Sequence, residues 1–111
     1  MAYNLSGNWH NRNPKDGDTV TILHLRDDFI QVIGYCDGAL SFRNIGIGII
    51  DGDYLFVEWT DLPDSNGTER GIAHRAKIKI ISNSELKLEN DSLLPSMKKS
   101  SNNSYGDWIR S

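Results

Sequence analysis

The sequence predicts an all-β fold, an eight-stranded antiparallel up-and-down barrel, on three observations. Ile occurs 12 times and Ala only four, a balance that suits pleated, half-buried surfaces rather than helices. Short runs of β-branched and aromatic residues recur at regular spacing, each bounded by Gly, Asn, Asp, Ser or Pro. Asp37-Gly38 and Asp51-Gly52 are hairpin dipeptides, and no long crossover separates the runs. A meander of this size tends to close, because closure removes the exposed sheet edges.

The first strand is expected at residues 5–11, ended by the turn residues Pro14 and Gly17. The second covers 19–26, with Asp27-Asp28 as a tight connection to the third at 29–36. Asp37-Gly38 leads to a fourth strand at 40–50, and Asp51-Gly52 to a fifth at 54–60. Residues 61–71, rich in Asp, Gly, Pro and Ser, read as a longer loop before a sixth strand at 72–82. Asn83 to Glu85 turn the chain into a seventh strand at 86–89 that can run further, and a short strand is expected at Leu93-Leu94. Ser, Asn and Lys then dominate up to Gly106, predicting a mobile loop at about 95–105. The eighth strand is 107–110, and residues 1–111 make one domain.

Alternation assigns faces along the strands. In the sixth, Ile72, His74, Ala76, Ile78 and Ile80 share one face, and Ala73, Arg75, Lys77 and Lys79 the other. This is one dry and one wet face, and the dry one carries His74. In the fourth, Leu40 and Phe42 are in even phase while Ile45, Ile47 and Ile49 are odd, which predicts a bulge near Arg43-Asn44. The second strand is ambiguous, since Val20 and Ile22 oppose Leu23 and Leu25.

Charge and motif content exclude several classes. A net charge of −3 gives no basic face for nucleic acid and no polybasic segment for a membrane surface. The N-terminus has neither a basic start nor an apolar stretch, and no run approaches the roughly 18 apolar residues of a membrane helix. The expectation is a cytoplasmic protein. Cys36 is the single cysteine, so the fold has no internal disulfide. His10, His24 and His74 are scattered, so neither a metal site nor a cofactor is expected. Gly46 and Gly48 lie within a strand and open no helix, so they make no phosphate loop.

Gly7-Asn8-Trp9 in the first strand, with "DWIR" at residues 107–110, resembles the calycin superfamily of lipocalins, fatty-acid-binding proteins and avidins. The resemblance spans nearly the whole chain by strand count, and the chain length is closer to an avidin than to a full lipocalin. It implies a barrel closed at one end by Gly7, Trp9 and Arg110, with a small molecule bound inside. The closing pair makes sense physically, because a guanidinium both stacks on an indole face and donates to carbonyls at the rim. In avidins the Asn two places beyond the Trp helps to hold the ligand, and Asn11 matches that place. The chain departs from avidins in the next turn, where "PKDGDT" lacks the expected Ser, and Trp59 and Trp108 do not follow the stacking-Trp pattern. Biotin is therefore not the implied ligand.

Three functions remain open on this reading. In the first, the interior binds an apolar or mixed small molecule through His74, Trp59, Asn11 and Tyr35. In the second, the barrel is a small isomerase- or lyase-like enzyme with His74 as acid or base, because imidazole titrates near neutrality. Glu58, Asp61 or Arg75 would then orient it. In the third, the barrel binds nothing inside and associates through its outer face as an interaction module or homo-oligomer. Leu23, Leu25 and Ile33 are candidates for that surface.

Overall fold

The structure is a computed structural model that describes residues 3–13, 18–36, 42–61, 73–93 and 106–111. The strands are β1 (Gly7–Asn11), β2 (Asp18–Arg26), β3 (Phe29–Cys36), β4 (Phe42–Asp51), β5 (Tyr54–Asp61), β6 (Ala73–Ser82), β7 (Glu85–Leu93) and β8 (Trp108–Arg110). Each pairs antiparallel with the next, and β8 pairs back onto β1 through Trp9↔Arg110 and Asn11↔Trp108, so the barrel is closed. The all-β barrel expected from the sequence is therefore the observed fold.

The interior follows period-two alternation. Val20 and Ile22, Ile30 and Val32, Leu55, Val57 and Trp59, and Ala76, Ile78 and Ile80 point inward and are buried with Leu5, Trp9, Leu86 and Trp108. The phase of β2 is thereby settled: Val20 and Ile22 go in, and Leu23 and Leu25 go out. In β6 the charged residues Arg75, Lys77 and Lys79 lie opposite the buried Ala76, Ile78 and Ile80, as the alternation predicts.

The β4 reading is corrected. No bulge occurs at Arg43-Asn44: register is continuous from Phe42 to Ile49 against β3 and from Asn44 to Asp51 against β5. Asn44, Gly46 and Gly48 face inward, and Ile45, Ile47 and Ile49 face out. The physical reason is space. A Cβ on Gly46 would stand 2.8 Å from Trp59 Cβ, and one on Gly48 would stand 2.9 Å from Ile30 Cγ1 and 3.0 Å from Leu55 and Val57 methyls. The larger inward side chains of β3 and β5 fill the barrel, so β4 lines it with bare backbone. Among the described residues the register shifts lie elsewhere, at His24/Arg26, Lys77/Ile78 and Ile80/Ser82.

The other differences are at strand ends. β1 begins at Gly7 rather than at residue 5 because the chain turns there with φ at 140°, a conformation that favours glycine. β7 runs on to Leu93 and absorbs half of the short strand expected at 93–94. Residue 94 and the loop at about 95–105 lie outside the described residues.

Candidate functional site

The two ends of the barrel are built differently. At one end the β2–β3, β4–β5 and β6–β7 connections are turns of two residues. The segment Tyr3–Ser6 crosses all three: the Tyr3 hydroxyl donates to Asp53, Asn4 N–H donates to Asn83 Oδ1, and Leu5 N–H donates to His24 Nδ1. Leu5 is fully buried beneath this crossing, and its carbonyl accepts the Trp9 indole N–H at 2.9 Å. The Arg110 guanidinium lies 4.7 Å over the Trp9 ring and donates to the carbonyls of Asn83, Ser6 and Asn4. Gly7 allows that approach, since a Cβ there would stand 2.7 Å from Arg110 Nη1. Gly7, Trp9 and Arg110 thus meet at this end of the barrel.

The remaining connections leave from the opposite end, and the inward residues nearest that end differ in kind from the core. On β1 and β8 they are Asn11 and Trp108, which face each other in register. On β4 the residue is Asn44, and on β5 and β6 they are Trp59 and His74, also paired in register. The Trp59 and His74 rings stack at 4.9 Å between centroids with 11° between their planes. Asn11 and Asn44 are the two buried polar side chains of the described barrel, at 3% and 4% exposure. Asn11 Oδ1 accepts from Asn13 N–H at 2.8 Å, which fixes the amide and makes an Asx turn where β1 ends. Asn44 fits because its register partner is Gly34, where a Cβ would stand 2.7 Å from Asn44 Oδ1.

Sequence reasoning placed Asn11, Trp59 and His74 in the interior, and the structure puts all three on the inner face toward the open end. It does not bring Glu58 or Arg75 to His74. Glu58 neighbours Trp59 along β5 and so points outward, where its carboxylate lies 3.7 Å from Arg75 Nε on the outer face of β6. The acid–base group imagined around His74 is not assembled from these two. Tyr35 pairs with Thr19 and Arg43, and Asp61 with Asn44, and their side chains lie outside the described ones. Asn44 and the inward position of Trp108 were missed. The available signal for Asn44 was its place two residues before Gly46, in the glycine phase of β4.

The arrangement offers two side-chain amides, an imidazole and two indoles, with no Asp, Glu, Lys or Arg among the described inward side chains above Trp9. Such a set recognises by hydrogen bonds and by ring contact rather than by charge. Comparison with family models, curated proteins and solved structures gives no match for the chain.

Proposed function

We propose that this protein is a calycin-type binding barrel that takes a small, uncharged molecule with both hydrogen-bonding and planar apolar parts at its open end. One observation carries the reading. The stacked Trp59–His74 pair shares the open-end half of the inner face with the buried amides of Asn11 and Asn44, while the described inward side chains nearer the closed end are apolar apart from Arg110, which covers Trp9. Buried amides are costly, and a core of the same volume in Leu or Val would be cheaper. Their concentration at one end is what ligand recognition requires. The filled lower barrel refines the expectation of interior binding, because a ligand rests on Trp59 and does not penetrate to Trp9.

Native mass spectrometry of the purified protein, followed by the same measurement after denaturation, tests this. A neutral mass that is lost on unfolding, and reduced in Asn11→Leu and Trp59→Leu variants that keep their circular dichroism, is the expected result. A native mass equal to that of the bare chain counts against the reading. It fails outright if, in addition, no compound of a neutral-metabolite panel changes the tryptophan emission.

A further inference from the structure

The outer face of β2–β5 is apolar where a sheet facing water would alternate to polar residues. Register places Leu23, Gln31, Ile47 and Glu58 side by side on one row, Ile33 and Ile45 on the row above, and Phe29, Ile49 and Phe56 on the row below, with Leu25 beside it. Ile49 is 55% exposed, Leu25 53% and Ile47 52%. With Leu23, Ile33, Ile45 and Phe56 they expose roughly 600 Å², at the upper end of the largest patch on an ordinary monomer and close to the ~800 Å² per partner of a stable interface. The surface is a patch and not a girdle, since it stops at Arg75, Lys77 and Lys79 on β6. Its edge is a groove of about 330 Å³ between Ile47, Ile49 and Phe56 on one side and Arg75 and Lys77 on the other.

We propose that this face binds a second copy of the same chain about a two-fold axis close to Gln31. The chemistry at the centre selects the partner. Gln31 is ringed by Leu23 and Ile47 on its row and by Phe29 and Ile33 along its strand. Any partner that covers the patch removes this amide from water and must satisfy it. A primary amide carries donor and acceptor together, so two copies of Gln31 brought face to face satisfy each other. Isologous contact also sets the same isoleucine rows of the two copies against each other. The rim carries both signs, with Glu58 next to Arg75, so a two-fold sets no like-charge block against itself.

Sedimentation equilibrium of the full chain tests the proposal. The wild type is expected to be a dimer whose dissociation constant rises at least ~100-fold in Ile47→Asp, a loss typical of a central interface residue. Ile47→Thr keeps the strand propensity at an exposed position and serves as the milder variant, with a smaller weakening in the same direction. Gln31→Glu places two carboxylates at the axis, so its dimer is weak at neutral pH and recovers on acidification. A wild type that stays monomeric at millimolar concentration overturns the proposal, and so does a dimer indifferent to Ile47→Asp. A monomer that floats with lipid vesicles instead reassigns the patch to a membrane surface and also overturns it.

Discussion

The Arg110 guanidinium stands over the Trp9 ring at 4.7 Å, and its three nitrogens reach three different carbonyls, of Asn83, Ser6 and Asn4. One side chain thereby joins the last strand, the first strand, the crossing segment and the β6–β7 turn. β8 is only three residues long and meets β7 in register at a single position, Glu85↔Ile109. The backbone seam at β7–β8 is therefore short, and side chains reinforce it: Asp107 Oδ1 accepts from Leu88 N–H at 2.7 Å, and Arg12 reaches past β8 to Glu85.

Removing the Arg110 clamp is therefore expected to cost more than an ordinary substitution of a partly exposed residue. Arg110→Ala strips donors from three carbonyls and uncovers Trp9, a loss of about 2–4 kcal/mol by the usual worth of such bonds. Arg110→Lys keeps the charge but cannot serve three acceptors from one planar fork, so it recovers less than half. Urea unfolding of the wild type and both variants checks the order.

Most of the barrel was legible because its signals are local. The Asp51-Gly52 dipeptide and period-two alternation marked the strands, Asp37-Gly38 lies outside the described residues, and Trp9 and Arg110 meet at one end of the barrel. The β4 phase was not legible, because Ile45, Ile47 and Ile49 look like a core face and the glycines like defects. Only the volumes of Trp59, Val57, Leu55 and Ile30, brought in from other strands, decide that glycine is the inward residue. The site was half legible for the same reason. His74 and Trp59 lie in clean alternations, whereas Asn44 inherits its direction from the β4 phase that was read the other way.

That crowding makes Gly48 a measurable constraint. Alanine normally stabilises a strand relative to glycine, by roughly 0.5–1 kcal/mol. At Gly48 the added methyl meets Ile30, Leu55 and Val57 at 2.9–3.0 Å, so Gly48→Ala is expected to destabilise by about 1–3 kcal/mol instead. Val57→Ala removes one of the opposing groups. The double variant is then more stable than the sum of the single losses predicts, and a double-mutant cycle by chemical denaturation reads that difference.

The Tyr3–Asp53 hydrogen bond gives the closed end an alkaline signature. The Tyr3 hydroxyl donates to the Asp53 carboxylate, and that bond, with some burial and the repulsion between carboxylate and phenolate, raises the Tyr3 pKa above the usual 10.0. A raised pKa means that the folded state holds the proton more tightly than the unfolded one. The bond's contribution is complete below the unfolded value and is lost as pH rises through the folded value. The stability gap between wild type and Tyr3→Phe should be constant at neutral pH and close in alkali. Absorbance titration of phenolate should show one tyrosine ionising late, and Asp53→Asn should bring it back toward the ordinary range.

His24 carries the last prediction, which concerns where its proton resides. Leu5 N–H donates to Nδ1 at 3.2 Å, so Nδ1 is the acceptor and the neutral ring bears its hydrogen on Nε2. Nε2–H then donates to the Asp27 carbonyl, also at 3.2 Å, and the ring bridges the crossing segment to the β2–β3 turn. Ser6 Oγ accepts from His24 N–H at 2.9 Å and holds the same residue from its backbone side. Long-range nitrogen–proton correlation spectra should show the Nε2–H tautomer for His24. His24→Ala removes this acceptor, so it should speed hydrogen exchange at the Leu5 amide while Ile30 and Ile78 amides keep their protection, by about tenfold if the bond is worth its usual 1–1.5 kcal/mol. An Nδ1–H tautomer, or a Leu5 amide that exchanges alike in wild type and variant, would show that the crossing segment is held without this ring.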